Sequence, residues 1–349
     1  MRVNWGCRGA GQWFAAAPEG NGRYRCASRP NDHCMLAKVG AFAVGWLERQ
    51  TPHGRSYSWA RTVLALSTAT TLAFNTGATL FPIRSAACRE EEVFSVFCIV
   101  PFLYVDCVRW CAVVVLCIVA TGIYPRFTAP LYLWIAFSFV ASSRTLDGGD
   151  QIASNLALLL VPVAAIDRRR WHWSAPIGRR TASPSLVLLW LLGCSSAVAI
   201  KWQVSVVYLE AAIGKVRLEE WRAGTALSVW LLDPHYGTAA FLRPLVRGIL
   251  EIVPALKLST WGVIGAEFLL AAAVVCGPTL RRVAFWIGVA MHVGIGLLLG
   301  LPTFSAVMIA ALLLYLRPSD IKVNRSSMSG IRPDVQPCRD LDRNGGKAG

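Results

Sequence analysis

Three stretches of this chain, residues 62–83, 181–200 and 283–316, contain no Asp, Glu, Lys or Arg. An uncharged apolar run of about 18 residues or more is long enough to cross the hydrocarbon core of a bilayer. Charged residues make up 16% of the 349 residues, against roughly a quarter in soluble domains. Those facts exclude a soluble enzyme, a disordered regulator and a secreted disulfide scaffold. They predict an all-α fold, a polytopic transmembrane helical bundle of about eight spans.

The apolar runs place the spans at 62–82, 108–125, 127–143, 151–166, from Ser185 to Tyr208 or beyond, and 258–277, with two more inside 283–316. The last stretch exceeds one crossing and breaks at Gly300-Leu301-Pro302. The piece at 93–105 is too short to cross and reads as interfacial or re-entrant, so six to eight spans are compatible with the pattern. Residues 216–257, with charges, prolines and short apolar stretches, read as non-spanning.

The net charge of +15 belongs to membrane topology rather than to nucleic acid. Lys and Arg sit in the gaps between apolar runs, as the positive-inside rule requires, and form no recognition element. Residues 167–180, with five Arg against one Asp, mark a cytoplasmic loop, and Arg281-Arg282 marks a second. Eight spans then put both termini inside. The acidic Glu90-Glu91-Glu92 loop, the turn at 144–150 and segment 216–257 fall outside. Residues 1–37 read as a flexible basic arm, or as sequence upstream of a start at Met35. Residues 318–349 read as a disordered cytoplasmic tail.

Eleven cysteines define no metal site. Cys107, Cys111, Cys117, Cys194 and Cys276 lie in apolar runs as small hydrophobes. Cys26, His33 and Cys34 lack a second ligand pair at zinc spacing. A Cys88–Cys98 disulfide is compatible with a loop outside the cytoplasm.

Ionisable groups at membrane depth are costly and are functional candidates by default. Lys201, Tyr208 and Lys215 recur every seven residues and share a helical stripe, with Gln203, Glu210 and Gly214 on the next. A half-desolvated Lys can act as a base, and the same residues can equally snorkel or pair with Glu210. Asp147 and Asp150 frame a Gly-Gly turn that either binds a cation or substrate amine or simply caps the next helix. His292 lies mid-span, as a ligand-binding or a hydrogen-bonded packing residue, and Glu267 is a partner for it or for another group. Asp106 and Arg109 are spaced to pair within one helical turn. Phosphate loops, His-Glu-x-x-His and nucleophile elbows do not occur.

Tyr208-Leu-Glu-Ala-Ala-Ile-Gly-Lys215, followed by Glu220-Trp221 and Gly224-Thr225-Ala226, resembles the HTTM membrane domain shared with vitamin K-dependent gamma-carboxylases. The nearer resemblance is to the sporulation-delaying protein B type. It is carried also by Gly54-Arg55-Ser56, Ala60-Arg61, Tyr124-Pro125-Arg126, Asp147-Gly148-Gly149-Asp150, Leu158 to Pro162, Asp167-Arg168 and His292. It covers residues 38–317 and implies a multi-pass plasma-membrane protein of bacterial type. That protein would mature or export a secreted peptide toxin with a small partner protein. The resemblance makes Lys215 the candidate base; with Glu210 and Tyr208 beside it as further catalytic candidates, Asp147, Asp150, Trp221, His292 and Lys201 are the substrate-binding candidates. The carboxylase branch implies a stand-alone enzyme that uses a lipid quinone and Lys215 as base. A third implied role is a non-catalytic immunity or scaffold protein. A single Lys where carboxylases have a pair, Asp150-Gln151 where they have Asn-His, and no room for their large soluble domain argue against gamma-carboxylation itself. No cofactor is specified by the sequence.

Overall fold

A computed structural model describes residues 53–81, 94–99, 101–175, 184–234 and 237–316. The N-terminal arm with Cys26, His33, Cys34 and Met35, the Glu90–Glu92 cluster, Cys88 and the C-terminal tail lie outside the described residues. So does the end of the basic loop at 176–180.

Every regular element among the described residues is a helix. The long ones are α1 (Arg55–Phe74), α4 (Val105–Thr121), α5 (Pro125–Ser142), α6 (Gly148–Ala165), α7 (Pro184–Arg217), α11 (Val253–Ala272), α12 (Pro278–Leu298) and α13 (Pro302–Leu316). Short helices α2 (Gly77–Leu80) and α3 (Val96–Ile99) lie between α1 and α4, and α8 (Glu219–Ala223), α9 (Ala226–Leu232) and α10 (Arg243–Leu250) between α7 and α11. Among the described residues, four helices combine the length and apolar composition needed to cross a membrane: Gly148–Ala165, Leu188–Arg217, Val253–Ala272 and Pro278–Leu298. Pro302–Leu316 is apolar but shorter.

Local chemistry sets the ends. α4 stops at Gly122, whose φ of +84° is left-handed. Pro125 then opens α5 at a position where its missing N–H costs nothing. Gly300, with φ of +66°, and Pro302 separate α12 from α13 where the sequence breaks. Asp147 caps α6 through a reciprocal capping box with Asp150.

Some boundaries differ from the sequence reading, among them α11, which begins at Val253 rather than at 258. The first apolar helix begins at Arg55 rather than Thr62, because the polar side chains of its early turns find partners across the bundle: Ser58 donates to the His172 carbonyl and Arg61 to Thr128. Segment 216–257 reads as non-spanning, and its short apolar stretches form the short helices α8, α9 and α10. Leu231, Val246, Leu250 and Leu256 gather α9, α10 and the start of α11 into a small satellite core.

The main core joins α1, α4, α5, α6, α7, α11, α12 and α13 through Leu64, Leu72, Leu116, Phe139, Leu156, Leu160, Val204, Leu270 and Leu312. Outward faces are apolar too. Trp110, Val114 and Ile118 repeat every four residues along α4 and are exposed, as a lipid-facing stripe requires. Arg109, at the start of α4, pairs with Asp106 at 2.7 Å and donates to the carbonyls of Leu72 and Ala73. It therefore closes the C-terminal end of α1, a structural role. Cys98 is disulfide-bonded, and Cys88, with which the sequence allows a bridge, lies outside the described residues. Cys107, Cys111, Cys117 and Cys276 are free thiols, and Cys194 is buried.

Candidate functional site

The 34 residues of α7 span about 51 Å at 1.5 Å per residue, well beyond the roughly 30 Å hydrocarbon core. The C-terminal turns of α7 therefore carry Tyr208 and Lys215 toward one end of the bundle, where α11, α12 and α13 supply partners. Tyr208, Glu267 on α11 and His292 on α12 are buried, with 2%, 6% and 2% of their surface exposed.

Lys215 Nζ lies 2.6 Å from Glu267 Oε1. The same ammonium sits 5.3 Å from the ring centroid of Trp221, close enough for a cation–π contact. The Tyr208 hydroxyl and His292 Nε2 are hydrogen-bonded at 2.9 Å. Glu267 Oε2 and His292 Nδ1 are buried and find no hydrogen-bond partner among the described residues. A buried polar atom left unpaired costs about 1–3 kcal/mol, so the cluster holds unused hydrogen-bonding capacity inside an apolar bundle.

The Asp147-Gly-Gly-Asp150 turn touches this cluster through one ring. A Cβ on Gly149 would stand 2.9 Å from Phe304 Cα, so only glycine lets α6 approach α13 this closely. Phe304 in turn packs edge-on against His292, with ring centroids 5.8 Å apart. Asp147 and Asp150 are committed to the cap: Asp147 Oδ1 accepts from the Asp150 amide at 2.8 Å, and Asp150 Oδ2 from the Asp147 amide at 3.4 Å.

The structure thus brings Lys215, Tyr208, His292 and Trp221 together. Asp147 and Asp150 stand behind Phe304. Glu210 is exposed on the outer face of α7, and Lys215 takes Glu267 rather than Glu210 as its carboxylate. Lys201, two turns before Tyr208, is half-buried. Sequence reading left Glu267 without an assigned partner, because its 52-residue separation from Lys215 is set by helix packing. Phe304 was missed altogether, having no chemical signature of its own.

A second polar cluster was read in the sequence only as a topology marker. His172, fully buried, meets Arg61 Nη1 through Nδ1 at 3.3 Å. Asp167 accepts from Arg169 at both carboxylate oxygens, each at 2.8 Å. Burial pushes His172 down to about 3, with the Arg61 and Arg169 charges adding to the effect. Burial works against ionised Asp167, yet the Arg169 hydrogen bonds hold its carboxyl below the ordinary range. No group of three or more metal-ligating side chains occurs among the described residues.

No family model matches the chain, and no solved structure matches it. It is similar to sporulation-delaying protein SdpB of Bacillus subtilis (strain 168), 30% identical over 310 residues that cover 87% of this chain and 94% of that protein. It is also similar to the uncharacterized protein YitO of the same organism, 30% identical over 295 residues, 82% of this chain and 92% of that protein. The chain belongs to the SdpB family and is a membrane protein of that type.

Proposed function

We propose that this member of the SdpB family is an eight-span plasma-membrane protein that takes part in maturing or exporting a secreted peptide, together with a small partner protein. Both termini face the cytoplasm in this reading, and residues 38–317 form an HTTM-like domain related to that of the carboxylases. What supports it is two polar pairs, half-buried Lys215 with Glu267 and buried Tyr208 with His292, which have no role in closing a helix end and leave two buried polar atoms without a partner among the described residues. Ionisable groups kept at such a cost inside an apolar bundle mark a substrate path or a reaction centre.

In this arrangement Lys215 presents a cation beside the Trp221 ring, suited to a peptide carboxylate or a polarised carbonyl. Tyr208 and His292 form the donor–acceptor pair beneath it, and Glu267 sets the position of the ammonium. Glu210, on the exposed face of α7, is available to the partner or the peptide. Asp147 and Asp150 act as positioning residues by fixing the N-terminus of α6 against Phe304.

The test is comparative mass spectrometry of secreted peptides from native cells, a deletion strain, and strains producing Lys215→Ala or the paired Lys215→Met/Glu267→Gln variant at normal levels. One peptide should vanish or change mass in all three altered strains, and the mass difference names the reaction. A peptide unaltered by deletion refutes the proposal. A peptide altered only by deletion, and not by either substitution, assigns the cluster to packing and the protein to scaffolding.

A further inference from the structure

At the other end of α6 from the Phe304 contact, a cavity of about 690 Å³ opens between the N-terminus of α1 and the 167–175 loop. His53, Arg55, Ser58, Trp59, Arg169, His172 and Trp173 are on its wall, with no Asp or Glu among the described lining residues. Its size falls within the range of about 300–1,000 Å³ usual for small-molecule sites.

The charge around it is positive. Asp167 is the nearby carboxylate, and Arg169 takes both its oxygens. Arg169 is further tied to the Ser174 carbonyl at 2.8 Å. Arg61 stands behind the wall against His172 and Thr128. Arg55 lines the cavity and is exposed, so its guanidinium is able to swing toward a ligand.

The first turn of α1 adds to this field. It contains no acidic residue, and its N-cap, Gly54, offers no side-chain acceptor. Gly54 and Arg55 both line the cavity, so the amide donors of that turn and the positive end of the helix dipole lie at its edge. One flank is apolar: Trp59 and Trp173 meet edge to face with centroids 5.0 Å apart. Trp173 and Trp171 both donate their indole N–H to the Thr121 carbonyl, which anchors the loop that forms this flank. A cationic wall, a helix N-terminus and an indole flank together suit an anion attached to an apolar body.

We propose that this cavity binds a phosphate group, carried by an anionic phospholipid or by a soluble phosphate ester. The planar guanidinium fork of Arg55 matches phosphate oxygens two at a time. The two tryptophans would lie along the glycerol and first methylenes of a lipid, or remain at the rim around a soluble ester. This site is separate from the Lys215 cluster and does not depend on the function assigned to it.

The experiment uses the full chain in phosphatidylcholine nanodiscs doped with phosphatidylglycerol, with lipids retained after mild delipidation counted by native mass spectrometry. Phosphatidylglycerol should be retained in preference to phosphatidylcholine. Arg55→Ala should weaken that retention about ten-fold or more, as loss of a charge-assisted contact implies. Arg170→Ala should leave it unchanged, since that cation on the same loop stands over the Tyr124 ring 5.7 Å away. Displacement of the lipid by millimolar inorganic phosphate, or Arg55-dependent phosphate binding in detergent without lipid preference, assigns the same site to a soluble ester. Equal retention of both lipids with no phosphate binding overturns the proposal, as does equal weakening by Arg55→Ala and Arg170→Ala.

Discussion

Replacing Lys215 with Met removes the cation from a pair whose carboxylate has nowhere else to turn. Glu267 has 8% of its side chain exposed, against 24% for Lys215, and its Oε2 finds no partner among the described residues. Removing one member of a buried ion pair costs about 3–5 kcal/mol, because the survivor is left charged in a poor solvent. The partial exposure of Lys215 moves this case to the lower end, about 3 kcal/mol. Glu267→Gln leaves the Lys behind, and a flexible four-carbon stem can carry its ammonium toward solvent, so about 1–2 kcal/mol is expected there. Combining Lys215→Met with Glu267→Gln leaves no charge buried and should bring stability back to within about 1 kcal/mol of wild type. The double-mutant cycle then yields a coupling of about 3–5 kcal/mol, the part that belongs to the pair itself. Reversible unfolding in mixed micelles, followed by tryptophan fluorescence, measures all four proteins. A coupling below about 0.5 kcal/mol, the usual error of additivity for independent sites, would refute the reasoning and mean that water solvates both groups. The paired variant also serves the functional test: stable but silent in peptide output, it separates a reactive Lys215 from a structural one.

Gly122→Ala should be among the most damaging single substitutions. A left-handed φ of +84° and a His172 ring atom 2.1 Å from the added carbon combine backbone strain with overpacking, about 3 kcal/mol or more, read as loss of folded protein in detergent. Asp147→Ala should cost about 0.5–2 kcal/mol by opening the α6 cap, while Asp147→Ser recovers most of it; equal loss in both variants would deny the capping role. His172, buried neutral and held at about 3, gives a pH signature. Its contribution is complete above about 6.5, the value for the unfolded chain. It is lost as pH falls from there toward 3, because the unfolded state binds the proton first. The unfolding free energy should therefore drop between pH 7 and pH 5, by up to about 1.4 kcal/mol per pH unit below 6.5. A profile with the same slope in His172→Gln would remove that histidine as the cause.

Much of the architecture was legible in the residues because helices are local objects. Uncharged runs identified the apolar helices, Pro125, Gly300 and Pro302 marked ends of three of them, and Asp106 and Arg109 were close enough in sequence to pair. The heptad spacing of Tyr208 and Lys215 placed them on one face of α7, since that face depends only on 3.6 residues per turn. Where α1 begins was not legible. Its early polar turns are helical because Ser58 and Arg61 find partners on residues 172 and 128, far along the chain.

Sequence by itself therefore determined that the chain is an all-helical membrane protein and which residues were costly enough to matter. Tertiary structure decided what those residues do with one another. Glu210 and Glu267 are both acidic residues near a Lys in one dimension or another, yet only the packing of α11 on α7 brings a carboxylate to 2.6 Å from Lys215. The same packing turns Glu210 outward. Periodicity fixes the direction of a side chain about its own helix axis; it carries no term for which helix lies on that side. That choice is made by the close fit of surfaces such as Gly149 against Phe304, where absence of a single Cβ sets how near two helices come.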